Sequence, residues 1–175
     1  GRYVLVHQIL KQQSIEDAIK VVERAKRASS IGFGLTDSSG KVKYIEISPD
    51  EVAVIEPQDN LIVHANTCVH PDMIKKEKEQ VRSVRKDSPI RLEAMRHSIE
   101  LLKTTGKNFT VENLMNCMKN HENFPKAICR HESWDQNDPH MLIKTICSLI
   151  QKPSALQMWV AVGNPCKNDY NLYYV

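Results

Sequence analysis

The chain has 175 residues, 41% of them hydrophobic and 26% charged, enough for one ordinary domain spanning residues 1–175 to bury a real core. A formal charge of +3 and a pI near 8.6 are too mild to indicate a nucleic-acid surface, and no apolar run approaches the ~20 residues of a membrane span. Five cysteines, Cys68, Cys117, Cys129, Cys147 and Cys166, are odd in number and widely spread, which favours reduced thiols and an intracellular, cytoplasmic location. Gly1-Arg2 stands without a leading Met, so a targeting segment ahead of it stays open.

Taken in order, Tyr3 to Lys11 spaces its apolar residues as an amphipathic helix. A second helix should open at Ser14, where Ser14-Ile-Glu-Asp17 is a near capping box, and stop near Ala28. Four short extended runs follow, Ser30–Thr36, Lys41–Ser48, Glu51–Ile55 and Leu61–Ala65, separated by turn residues in the manner of an antiparallel meander. The charged run from Lys75 to Lys86 mixes both signs and has no aromatics, so it reads as a solvated loop or exposed helix. Ser88 as N-cap and Pro89 open a helix that runs to about Lys103 and is ended with help from Gly106. Thr110 caps a shorter helix to Met118, and Phe124 to His131 leads into an extended piece. After the polar loop from Glu132 to Pro139, His140–Ile150 and Ala155–Val162 read as strands, and Tyr170–Val175 as an edge strand. Helices, four strands, helices and then two or three strands indicate an α+β fold with antiparallel sheets and packed helices.

Several constellations can be weighed by their chemistry. Gly32-Phe-Gly34 lies inside a strand with no helix after it, so it is no phosphate-cradling loop. Cys68-Val-His70 and Cys129-Arg-His131 form a matched pair of sequences, with His64 and His140 near them. One residue between ligands is shorter than structural zinc prefers, and core cysteines beside surface histidines account for the same letters; no metal is expected. Cys129, Cys147 and Cys117 read as packed core thiols, and Arg130, on the far side of a strand from the Cys129 sulfur, does not activate it. Arg130 itself sits in an apolar approach, where it is either a guanidinium held by a fixed anionic partner or ligand or an ordinary surface arginine of an edge strand. The polar set His64-Ala-Asn66 falls at a strand end. There the Asn66 amide can either donate to a developing oxyanion or simply cap a turn.

Several pieces then combine in order: Ser14-Ile-Glu-Asp-Ala18, Arg27-Ala-Ser-Ser30, Leu35-Thr-Asp-Ser-Ser-Gly40, His64-Ala-Asn66, Ile128-Cys-Arg-His131, Thr145-Ile-Cys-Ser148 and Val162-Gly-Asn-Pro-Cys166. Together they resemble the acyl-coenzyme A:6-aminopenicillanic acid acyltransferase family, the isopenicillin N acyltransferase-like branch of the N-terminal-nucleophile hydrolases. The resemblance covers residues 14–67 and 128–175 well and the middle poorly. It implies an αββα sandwich matured by autoproteolysis, in which an N-terminal cysteine attacks an amide or thioester and passes through an acyl-enzyme. It assigns Asn66 to the oxyanion hole, and Ser30 and Arg130 to substrate binding. It implies no cofactor.

The partners implied are a small-molecule N-acyl substrate and the N-terminal remainder of the same precursor, which carries the nucleophilic cysteine. Neither nucleic acid nor membrane is among them, and a homo-oligomer is compatible. Two departures stand out: the chain begins with Gly1, so the thiol must come from outside it, and Thr67-Cys68-Val69-His70 differs from the family's usual continuation. The alternative expectation is a non-catalytic α+β binding or interaction module.

Overall fold

The computed structural model describes residues 2–77, 87–134 and 142–175. Its chain divides into two compact units, Gly1–Glu79 and Gln80–Val175.

In the first unit, helices α1 (Arg2–Leu10) and α2 (Ile15–Arg24) precede an antiparallel sheet of β1 (Ile31–Thr36), β2 (Val42–Ile47) and β3 (Val52–Ile55), in that order. Ser14 caps α2 as its sequence suggests, accepting the Asp17 N–H and donating its hydroxyl to the Asp17 carboxylate. The helix stops at Arg24, short of the expected Ala28, because Arg27 folds back over its end. The Arg27 guanidinium donates to the carbonyls of Val22 (2.7 Å), Glu23 and Ala25, and across to Ser48 (2.9 Å). Strand alternation then sorts the sheet. Ile45 and Ile47 face the helices, joining Ile9, Ala18 and Val22 in a core edged by Ile31, Phe33 and Leu35. Gly32, Gly34, Tyr44 and Glu46 take the other face, with Gly32 paired opposite Glu46 and Gly34 opposite Tyr44.

The fourth strand expected at Leu61–Ala65 does not form. Asp59 and Asn60, both at positive φ, reverse the chain, and Gln58 and Leu61 make a single isolated bridge. Beyond it His64 stacks on Tyr44 (ring centroids 3.8 Å apart) and reaches Glu46, so the segment crosses the face of the sheet instead of extending its edge. Helix α3 (Pro71–Lys76) follows, capped by His70. It carries the start of the charged run; residues 78–86 of that run lie outside the described residues.

The second unit opens with α4 (Ser88–Thr104) and α5 (Val111–Met118). The N-cap of α4 is Asp87 and not Ser88, and its side chain makes no cap hydrogen bond because its carboxylate is committed to arginines. At the other end Gly106 (φ +67) and Lys107 donate their N–H groups to the carbonyls of Lys103 and Leu102, a Schellman closure. Residues 121–130 are a tight loop of turns, not the extended piece expected. The strand expected over 140–150 is interrupted. A two-residue pair, β4 (Ser133–Trp134) with β5 (Leu142–Ile143), comes first, and β6 (Cys147–Lys152) begins only after Thr145 has been tied to Arg130. His140 lies outside the described residues.

Strands β6, β7 (Gln157–Val162) and β8 (Asn171–Tyr174) form the second antiparallel sheet. Ser148, Ile150 and Ala161 face inward, leaving Leu149 and Val162 on the outer face. Cys147 shares that outer face and is exposed, against the expectation of a core thiol, whereas Cys117 and Cys129 are buried as expected. Helices with antiparallel sheets make the fold α+β. Among the described residues no helix is long and apolar enough to cross a membrane.

Candidate functional site

The segment around Asn66 is organised by a residue that the sequence pattern conceals. Glu46 occupies an outward-alternating position of β2 yet is 3% exposed. Its Oε1 lies 2.6 Å from His64 Nε2 and accepts the Val69 N–H at 2.7 Å, while Oε2 accepts the His70 N–H at 3.1 Å. Burial alone pushes the Glu46 carboxyl up. The hydrogen bonds from His64, Val69 and His70 outweigh it and hold the group below the ordinary glutamate range. His64 Nδ1 meets the Ala65 carbonyl oxygen at 2.5 Å. Both ring nitrogens therefore face oxygen atoms, which fixes the ring in place over the sheet.

Tyr44 completes the floor. Burial first, then the nearby Glu46 and Cys68, push its phenol up to about 12, so it stays a neutral hydroxyl. A Cβ at Gly32 would fall 2.7 Å from Tyr44 Cε1 and Cζ and closer still to Oη, so only glycine leaves room for this ring.

Asn66 lies at an exposed bend within the loop so pinned, with the anchored His64 before it and the anchored Val69 and His70 after it. Ser30 is exposed and directly precedes β1, two residues before Gly32, the partner of Glu46 across the sheet.

In the second unit Arg130 does have a fixed anion. Its Nη1 donates to Asp87 Oδ2 at 2.8 Å, both side chains being under a fifth exposed, and Arg91 Nε donates to the same oxygen at 3.2 Å. The Arg130 backbone is held on both sides, its N–H by Thr145 Oγ1 and its carbonyl by the Thr145 N–H and Asn164 Nδ2. A charged surface depression of about 580 Å³ along α4, lined by Glu93, Arg96, His97, Glu100 and Glu122, contains none of Ser30, Asn66 and Arg130.

The paired Cys-x-His sequences part company. His70 caps α3 in the first unit, whereas Cys129 and His131 converge with His121 and Cys166, neither of them singled out by spacing. Cys129 Sγ is 3.5 Å from Cys166 Sγ, Cys166 Sγ 3.3 Å from His131 Nε2, and His131 Nε2 2.9 Å from His121 Nε2.

The model of the acyl-coenzyme A:6-aminopenicillanic acid acyl-transferase family matches residues 1–167. The chain belongs to that family. A search of curated proteins returns no match. Membership extends the likeness through the middle of the chain, where the motifs alone were weak, and associates it with acyl transfer and N-terminal-nucleophile-hydrolase-like folds.

Proposed function

We propose that these residues belong to a cysteine amidohydrolase or acyltransferase of the N-terminal-nucleophile type. It breaks or forms the amide, or thioester, between an acyl group and a small amine or amino acid. The nucleophilic cysteine comes from the preceding part of the same precursor, exposed by autoproteolysis. Its thiolate attacks the acyl carbonyl, with the thiol proton taken by the cysteine's own α-amine and passed to the departing amine. The acyl-enzyme is then released by water or a second amine.

The match over residues 1–167 carries this reading. Burial raises the Cys117 thiol, away from the thiolate that attack needs. Asn66 is the oxyanion donor. The Glu46 anchor supports that role, because a donor stabilises developing charge best when its position is fixed before charge appears. Ser30 contributes substrate contacts at the mouth of β1, and Arg130 takes a substrate carboxylate.

In the complete enzyme, Asn66→Ala should lower kcat roughly 10²–10³-fold, the usual loss for one oxyanion donor, with KM and circular dichroism little changed. Near-normal turnover would remove Asn66 from the role. Mass spectrometry of the complete protein should find two chains, one beginning with Cys. A single uncleaved chain without amidase or acyltransferase activity would instead assign the fold to a non-catalytic binding module.

A further inference from the structure

We propose that His121, Cys129, His131 and Cys166 form a structural zinc site, which staples the 121–131 loop to the connection between β7 and β8. The four donor atoms, two sulfurs and two imidazole nitrogens, all lie within 4.8 Å of one another. Zinc takes Zn–S bonds of about 2.3 Å and Zn–N bonds of about 2.0–2.1 Å, so tetrahedral ligands stand about 3.8 Å (S–S), 3.5 Å (S–N) and 3.3 Å (N–N) apart. The contacts here are 3.5, 3.3 and 2.9 Å in the same order. These three fall a few tenths of an ångström short and the other three pairs lie within 4.8 Å, so a central ion needs only modest side-chain adjustment of ligands already converged on it. A tetrahedral S₂N₂ set selects zinc over hard cations such as magnesium or calcium.

Hydrogen bonding gives a poorer account of the cluster. A thiol is a weak donor and a weak acceptor, and two imidazoles facing each other through Nε2 share at most one proton. A disulfide gives a poorer account as well: the Cys129 and Cys166 sulfurs stand well beyond the ~2.05 Å of an S–S bond, and both thiols are free.

The surroundings supply what a metal-bound thiolate requires. Asn164 Nδ2 reaches Cys129 Sγ at 3.5 Å and the Arg130 carbonyl at 2.7 Å, and the Cys129 N–H is fixed on Asn120 O at 2.9 Å. Four protein ligands leave no open coordination position, so the ion's role is structural and no step of the reaction passes through it.

The test is metal content. The full chain, purified in zinc-containing medium and dialysed, should carry one zinc per chain by mass spectrometric elemental analysis, and Cys68→Ser and Cys147→Ser should keep it. Cys166→Ser and His121→Gln, both at the surface and therefore compatible with folding, should each abolish stoichiometric zinc. Asn164→Ala should weaken it about 10–100-fold. Cobalt substitution should give a sulfur-to-cobalt charge-transfer band and tetrahedral d–d absorption, both absent after Cys129→Ser with Cys166→Ser. The proposal is overturned by substoichiometric zinc in a protein with five titratable thiols. It is equally overturned by a Cys129–Cys166 disulfide in the native protein, or by zinc that survives Cys166→Ser and His121→Gln together.

Discussion

Glu46 is the residue on which the first unit's polar face depends. Its carboxylate satisfies two backbone N–H groups and one imidazole while almost wholly buried, so Glu46→Ala strands three donors at once. Each buried donor left without an acceptor costs roughly 1–3 kcal/mol, and denaturant unfolding should show a loss of at least that size, with Glu46→Gln losing less. Because the folded-state pKa of Glu46 is depressed, its contribution is fully present above the unfolded carboxyl's pKa. It is lost as pH falls through the lower, folded value. The acid limb of the stability profile should therefore be shallower in Glu46→Gln than in the parent; an unchanged limb would contradict the assignment.

At Arg130, Lys keeps the charge but not the fork that can hold Asp87 and a carboxylate together. Arg130→Lys should raise KM roughly tenfold, the equivalent of ~1.4 kcal/mol, with kcat nearly constant; a fall in stability with KM unmoved would make the residue purely structural. Asn66 and Arg130 could be picked out as candidates, the first as part of a polar set at a strand end and the second as a guanidinium in an apolar approach. Glu46 was hidden by the strand alternation that made its neighbours legible: an acid between Ile45 and Ile47 reads as solvent-facing until something is seen to cover it.

Helices α2 and α5 begin where their caps say, and α2 ends where a side chain from beyond it intervenes. Ser14 and Thr110 cap α2 and α5 as their positions suggest, because an N-cap is a local hydrogen bond between residues three apart. Arg27 ends α2 through three helix-terminal carbonyls and a bond to Ser48, twenty-one residues on, a contact that no local pattern announces. Charge-assisted bonds to a helix C-terminus give roughly 1–2 kcal/mol in a partly buried setting, so Arg27→Ala should lower stability by about that amount. Amide exchange should then quicken first in the last turn of α2, and exchange confined to other elements would rule out the capping role.

The failed strand at Leu61–Ala65 follows the same logic. Its residues alternate as strand residues do, but stacking on Tyr44 and bonding to Glu46 draw His64 over the sheet. Gly32 permits this by leaving Tyr44 room to lie flat. Gly32→Ala should cost about 1–3 kcal/mol as an overpacked contact, read as a lower denaturation midpoint; a midpoint equal to the parent's would show that the ring can move aside freely.

At the scale of the whole chain, the α+β class and the family were legible because they rest on element order and on motifs spread along the sequence. The convergence of His121, Cys129, His131 and Cys166 was not, since Cys129 and Cys166 are 37 residues apart and meet only once β6 and β7 have paired. In the second unit the chain passes one point three times: after α5, in the loop carrying Arg130, and in the turn after β7. Loops that cross without a sheet or helix to bind them are expected to open locally at low cost, and a four-ligand ion opposes that opening.

Removing zinc with a strong chelator should therefore raise amide exchange at Cys129, bonded to Asn120, and at Thr145, bonded to Arg130. The turn amides of Lys167 and Asn168, both on Asn164 O, should follow. The Val69 and His70 amides in the first unit answer to Glu46 instead, and should keep their protection. Zinc readdition should restore the first group. Equal loosening of both groups would mean that the chelator unfolds the protein generally, and no change in either would mean that the loops hold themselves without an ion.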